Sequence, residues 1–264
     1  MGIAPICINT CVFGTGKMDR IPELLGRYPG RLGFEILSMF DLPDFEPALR
    51  QQLDALASCP VSFHGPVYEC EHSAARGTEA YERTMVHVRK TLEYARLLHS
   101  RHFTMHLNNC LVLPRKKDEM LQNALENYEE LRCLFEPFGC RIFVENTGTR
   151  VQGNMLLDQA EFTDVCRAND FEVLIDIGHA NANGWDISRL IDDLKDRIRA
   201  YHLHNNDGLR DQHRRLHDGT LDFDAVIQKI RRDTPEADLI IEYVSPALAG
   251  KELEEDLKGL LEAE

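Results

Sequence analysis

Arg141–Glu145, RIFVE, is a short apolar run that stops on a carboxylate. Runs of this length and character read as strands of a buried parallel sheet. A glutamate reached directly from such a strand costs several kcal/mol unless its charge is paired or coordinated. The pattern recurs on both sides: six further strand-like runs end on a residue able to bind a metal ion, namely Glu35, His64, His106, Asp176, His204 and Glu242. Across the seven, the spacing averages about 34 residues, close to the strand-plus-helix unit of a (β/α)8 barrel of about 250 residues, whose chemistry sits at the carboxyl ends of its strands.

The predicted strands are Gly2–Asn9, Leu32–Met39, Val61–His64, His102–His106, Arg141–Glu145, Val173–Asp176, Arg199–His204 and Leu239–Glu242, eight in all. Helical spacing occupies the stretches between them: Thr78–Ser100 repeats apolar residues at Tyr81, Met85, Val88, Leu92, Ala95 and Leu98, and Glu119–Phe138 does likewise. Gly139 suits a helix C-terminal cap, and Asp222 ahead of Phe223 and Val226 suits an N-terminal one. Unbroken strand–helix alternation fits a barrel or a doubly wound sheet, and the count of eight selects the barrel. The expected fold class is therefore α/β, a single (β/α)8 TIM barrel forming one domain over residues 1–264.

With 264 residues, 43% hydrophobic and 28% charged, the chain can bury one large core. The opening MGIAPICINT lacks a basic segment followed by an apolar stretch of signal-peptide length, and no run reaches the roughly 18 apolar residues that span a bilayer. A soluble, cytoplasmic protein is expected. Eight cysteines without a CxxC pair agree with reduced thiols in such a compartment. The 44 acidic and 30 basic residues leave a formal charge of −14, which counts against nucleic acid as a partner, although bound divalent cations would add positive charge at the mouth.

His64 in SFHGP and His106 in TMHLNN each close an apolar strand, where an imidazole can lend one nitrogen to a metal while a carbonyl or carboxylate holds the other. Glu145 and Glu242, the latter in LIIEY, are the strand-borne carboxylates. In Leu174–Gly184, LIDIGHANANG, Asp176 ends the strand, His179 follows one turn later, and the Asn- and Gly-rich remainder reads as a loop. In Arg199–Phe223, RAYHLHNNDGLRDQHRRLHDGTLDF, His202 and His204 share a strand face, and Asp211 and His213 follow on a loop. Of the histidine pair, His204 lies nearer the strand end and reads as the ligand; the other reads as an interior filler, a support behind the ligands or a substrate contact. Arg210, Arg214 and Arg215 could fork onto a phosphate or carboxylate or simply be solvated. Trp185 could wall the pocket or pack beneath its loop. Glu35 stands outside the metal set as a candidate substrate-contacting carboxylate.

From His64 to Glu242 the chain resembles the xylose-isomerase-like barrels, which include sugar-phosphate isomerases and epimerases and the endonuclease IV-type apurinic/apyrimidinic endonucleases. FHGP, HLNN, VENTG, DIGHANANG, HLHNND, the Asp211–Gln212–His213 triplet, HDGTLDF and IIEY carry the resemblance, in family order. In endonuclease-type members nine residues hold three zinc ions, and the resemblance implies one metal on His64, His106 and Glu145, a second on Glu145, Asp176, His204 and Glu242, and a third on His179, Asp211 and His213. The isomerase members use a smaller centre like the second set, with two glutamates resembling a base and acid pair, here Glu145 and Glu242. Nitrogen and oxygen ligands without thiolate suit zinc or manganese, one to three ions per chain.

Two reactions compete. Acidic charge and the absence of a basic stripe favour a metal-dependent isomerase or epimerase acting on a small sugar or sugar phosphate. The full set of nine ligands favours metal-assisted phosphoester hydrolysis. The gripping, intercalating loops of a duplex enzyme are not evident: NTGTRVQGN after Glu145 departs from the DNA-enzyme pattern, and NNCLVLPRKK after His106 is only modestly basic. A non-catalytic metal-binding or sensory barrel is a third class, because a fold does not fix an activity.

Overall fold

The computed structural model describes residues 5–262. Its eight strands pair in chain order, all parallel, and the last closes on the first. They are β1 (Ile6–Asn9), β2 (Leu32–Leu37), β3 (Val61–His64), β4 (His102–His106), β5 (Arg141–Glu145), β6 (Glu172–Asp176), β7 (Ile198–Leu203) and β8 (Asp238–Ile241). Three predicted spans coincide with the observed ones, and the others differ by one or two described residues at one end or at both; residues 2–4 of the predicted first strand lie outside the described residues. His204 and Glu242 thus sit one residue past their strands, where the sheet opens into the mouth.

Successive side chains on a strand point to opposite faces of the sheet. One set, with Ile8, Phe34, Phe63, Val144, Ile175 and Tyr201, packs into the large core between sheet and helices. The other set points into the barrel, and there Cys7, Phe143, Leu174, Ala200 and Ile240 form a separate apolar plug. Two residues further along the same strands come Asn9, Glu145, Asp176, His202 and Glu242, all buried. The two-residue period therefore stacks a polar tier directly on the apolar one, at the carboxyl end where barrel chemistry resides.

The helices follow their sequence signals. Helix Glu79–Leu97 starts at Thr78, whose side chain accepts from the Tyr81 amide. Helix Lys117–Phe135 runs into a 3-10 turn over Glu136–Phe138 that ends at Gly139 with φ +76°. Asp222 accepts from the Ala225 amide and opens helix Phe223–Asp233. One expectation is corrected: the Asn- and Gly-rich stretch after His179, read as loop, is helical as far as Ala182, in a short helix Ile177–Ala182 whose first turn is capped by the Asp176 carboxylate on the His179 amide at 2.6 Å. Asn181 and Asn183 resemble loop residues in sequence, but the Asp176 cap determines the backbone here. Among the described residues, no helix is long and apolar enough to cross a membrane.

Candidate metal centre

Three imidazoles are aimed by the backbone or by an amide. His64 Nδ1 lies 2.9 Å from the Gly65 carbonyl, His106 Nδ1 lies 2.7 Å from Asn109 Oδ1, and His213 Nδ1 lies 3.0 Å from the Glu242 carbonyl. Each acceptor takes the ring N–H and leaves the Nε2 lone pair facing carboxylates. His64 and His106 present Nε2 to Glu145 Oε2 at 3.4 and 3.0 Å, and His213 presents it to Asp211 Oδ2 at 3.0 Å. His179 Nε2 reaches the same Asp211 oxygen at 3.2 Å, while its Nδ1 lies 3.2 Å from Glu145 Oε1.

Two of the three implied ligand sets assemble as the sequence implies. His64, His106 and Glu145 offer atoms within 4.8 Å of one another, as do His179, Asp211 and His213. The middle set assembles around a different histidine. His202 Nδ1 lies 3.5, 3.8 and 3.4 Å from oxygens of Glu145, Asp176 and Glu242, and it groups with Glu145 and Asp176 and with His64 and Glu242. His204 stands to one side: its Nε2 is 2.9 Å from Asp176 Oδ2, its ring stacks on His213 at 4.0 Å, and it groups with His213 and Glu242. Proximity to the strand end points to His204, but convergence in the barrel brings His202 deeper among the carboxylates. Gly178 makes room for the His204 ring, since a Cβ there would come within 2.0 Å of it.

The donor set fits a cation. Glu145 Oε1, His179 Nδ1, His202 Nδ1, His204 Nδ1 and Asp211 Oδ1 are buried and make no hydrogen bond. Unsatisfied polar atoms are rare in a folded interior, and here three of them meet, with His179 Nδ1 and His202 Nδ1 at 3.2 and 3.5 Å from Glu145 Oε1. Without an ion, protons balance the charge. Burial alone would lower the His202 pKa and raise that of Glu145; instead the carboxylates of Glu242, Glu35 and Glu145 hold His202 well above the usual imidazole range, and His106 and His202 hold Glu145 well below the carboxylate range. Burial is likewise overridden at His213, which Asp211 holds up at about 9, and at His179, which Asp176 and Asp211 hold well above normal.

Above this cluster opens a pocket of about 250 Å³, with Glu145, Glu242, His64 and His106 in its floor. Its walls carry Tyr68, Asn108, Gln152 and Asn154 beside Val67 and Val244. No lysine or arginine is among its described lining residues. None of the three substrate candidates, Trp185, His202 and Arg210, is among these lining residues. Arg210 is exposed and outside the lining; Arg215, close to it in sequence, is tied to Glu255 and Asp256 at 3.1 and 2.9 Å. Trp185 is also outside the lining and packs against Phe162, with ring centroids 6.1 Å apart. His202 is wholly buried beneath the pocket, as is Glu35, so neither touches a molecule entering it.

Two contributors carry only weak sequence signals. Asn109 lies in the HLNN motif, and its polarity after a histidine is the one hint of its role. Asn9 donates its amide group to both Glu35 Oε2 and Glu242 Oε1, at 2.8 and 3.0 Å. In sequence it is no more than a polar residue closing an apolar strand.

The fold agrees with what the family comparison finds: residues 30–263 match the xylose isomerase-like TIM barrel, and the chain belongs to that family. No curated protein sequence matches it. Among solved structures, it is similar to a D-tagatose 3-epimerase-like protein, at 20% identity and TM-score 0.76 over 98% of this chain and 99% of that one. It is also similar to the IolI protein with a bound zinc atom, at 16% identity and TM-score 0.75 over 98% and 95%. An AP endonuclease of family 2 from Brucella melitensis shares 18% identity at TM-score 0.72 over 98% and 99%. At these identities the likeness establishes the fold.

Proposed function

We propose that this protein is a divalent-metal-dependent isomerase or epimerase of a small sugar. The observation that carries the reading is the pocket: Glu145 and Glu242 in its floor converge on one point, its size suits a small polyhydroxylated molecule, and apart from the His179, Asp211 and His213 cluster its described lining carries amides, a phenol and apolar groups with no lysine or arginine. Glu145 Oε1 and Glu242 Oε2 lie 3.5 and 3.4 Å from the same His202 nitrogen. The residues that would hold zinc or manganese are Glu145, Asp176, His202 and Glu242, with His204 beside Asp176; His64 with His106, and His179 with Asp211 and His213, offer flanking positions for up to three ions. A bound ion supplies a Lewis acid that stabilises negative charge developing on substrate oxygens.

The chain's own part is proton movement and orientation. One of Glu145 and Glu242 removes the proton beside the substrate carbonyl and the other returns it, at the neighbouring carbon or on the opposite face. Asn108, Gln152 and Asn154 are placed to bind hydroxyls, while Val67 and Val244 exclude water from one wall. Two solved relatives support the reading: one is a D-tagatose 3-epimerase-like protein, and the other, the IolI protein, carries a bound zinc atom. Free cysteines throughout the described chain support a reducing, cytoplasmic setting.

A second reading has one observation behind it. The His179, Asp211 and His213 cluster offers a further metal position, which a metal-assisted phosphoester hydrolase would use, and one relative is an AP endonuclease of family 2. The test is to offer purified, metal-analysed protein ketoses in heavy water beside a phosphodiester and an abasic oligonucleotide. Deuterium appearing at a sugar carbon is the expected outcome; phosphoester cleavage without it would replace the first reading with the second.

A further inference from the structure

Glu35 belongs to none of the ligand sets, yet its carboxylate is fully enclosed within the barrel. A buried charge of this kind is expensive, and an apolar side chain of similar volume is often at least as stabilising. Its partners show what the carboxylate does there. Oε2 accepts from Asn9 Nδ2 at 2.8 Å and lies 2.7 Å from His202 Nε2; Oε1 accepts from Thr104 Oγ1 at 2.7 Å, with His102 Nε2 at 3.7 Å.

An ionised carboxylate has only lone pairs to offer, so the His202 nitrogen must donate. That assigns the proton of a neutral His202 ring to Nε2 and leaves the lone pair on Nδ1, the nitrogen standing 3.4 to 3.8 Å from the oxygens of Glu242, Glu145 and Asp176. The same carboxylate also reaches the site by a second route. The Asn9 amide that donates to Glu35 donates also to Glu242 Oε1 at 3.0 Å. Two groups at the cation position, one imidazole and one carboxylate, are thus held from below by a single buried residue on β2.

We infer that Glu35 is a positioning residue for the cation site: acting through His202 and Asn9, it selects the His202 tautomer with Nδ1 free and fixes the direction of Glu242. The inference rests on the proposed metal site but not on the reaction assigned to it. Removing an acceptor that orients a metal-bound imidazole typically weakens metal affinity by roughly 10–100-fold.

The experiment titrates zinc into the purified, metal-stripped full chain against a competing chelator, for wild type, Glu35→Gln and Glu35→Met. A glutamine carbonyl still accepts from His202, and the Thr104 hydroxyl can turn to accept from the new amide; methionine accepts nothing comparable. Glu35→Met should lose roughly 10–100-fold in zinc affinity, while Glu35→Gln should stay within a few-fold of wild type. Equal affinity in Glu35→Met and wild type would overturn the inference. So would a Glu35→Gln loss as large as that of Glu35→Met, since the role would then be charge balance and not the tautomer. Should Glu35→Met fail to fold, nitrogen-15 NMR of the wild-type and Glu35→Gln histidines decides the matter without it. Zinc should displace the His202 Nδ1 resonance while Nε2 keeps its proton in both proteins; an unmoved Nδ1, or a proton on Nδ1 in the neutral ring, would count against the proposal. A wild type that binds no zinc would instead remove the metal site itself, which separates the two failures.

Discussion

The barrel interior contains two tiers made by the same strands. Cys7, Phe143, Leu174, Ala200 and Ile240 fill the lower one, and two residues later the same strands deliver Asn9, Glu145, Asp176, His202 and Glu242 to the upper one. Backbone geometry is shared, so the contrast is purely chemical. The lower tier gains by removing apolar surface from water. The upper tier buries carboxylates and imidazoles at a cost in solvation, leaving atoms such as His202 Nδ1 and Glu145 Oε1 without hydrogen bonds. Stability concentrates below and ligand chemistry above, one residue pair apart on each strand.

The sharpest way to break this contrast is to remove a carboxylate from the upper tier. Glu145→Ala and Glu242→Ala should each lower the proton-transfer rate by roughly 10²–10⁴-fold, the usual worth of a general acid or base, and should reduce bound metal. The melting temperature of metal-free Glu145→Ala should fall, because His106 and His202 hold this carboxylate well below its usual range and removing it leaves buried imidazoles without their partner. Deuterium exchange, elemental analysis and a thermal melt on the same samples measure all three, and an unchanged metal content in both variants would remove these residues from the site.

The reciprocal substitution strikes the lower tier. Leu174 is fully buried in the plug, so Leu174→Ala should cost about 2–5 kcal/mol in chemical denaturation. The folded fraction should still bind its metal with wild-type stoichiometry. If Leu174→Ala instead empties the site while hardly moving the denaturation midpoint, the two tiers are not separable as described.

How much of this contrast can be read in one dimension follows from the period of two. Strand ends, their order and the residues at positions 64, 106, 145, 176 and 242 are legible because each terminates an apolar run, and the structure brings those side chains together. Between His202 and His204 the sequence favours His204, the nearer to the strand end; both point inward, and in the closed sheet the deeper one is the neighbour of three carboxylates while His204 groups with His213 and Glu242. Glu35 resembles a substrate contact in sequence for the same reason, since depth along the barrel axis depends on the stagger between strands. Trp185 and Arg210 depend on loop paths, for which neighbours in sequence carry little information.

Acidity distinguishes the tiers again. His213 is held up at about 9 in the absence of metal, chiefly by Asp211 against the opposing effect of burial. An imidazole raised above its unfolded value of about 6.5 stabilises the fold fully below that pH and loses the contribution as pH climbs through 9. Metal-free protein should therefore show a falling melting temperature between about pH 6.5 and 9. With zinc bound the fall should be shallower, because ligand nitrogens then face the ion and carry no proton. Leu174→Ala should be destabilised by the same amount at both ends of that range, since the plug has no ionisable partner among its own members apart from the Cys7 thiol, which burial holds well above its ordinary value. Equal slopes with and without zinc would mean that these imidazoles do not meet the ion.

The smallest effect belongs to the rim outside both tiers. Arg210 is exposed, and its backbone amide, donated to Asp207 Oδ1 at 2.8 Å, survives any side-chain change. Arg210→Ala should shift stability by no more than about 0.5 kcal/mol, the range of ordinary surface substitutions, and should leave kcat/KM for a free sugar within about twofold, a change of under about 0.5 kcal/mol in transition-state binding. The variant still discriminates. A guanidinium that closes over a phosphorylated substrate would lose at least a roughly tenfold factor on a sugar phosphate while leaving the free sugar untouched, since forked donors match phosphate and not hydroxyl. Parallel assays of the two substrates thus decide whether specificity resides wholly in the uncharged walls around Asn108, Gln152 and Asn154 or extends to a rim that reaches inward only when an anion is present.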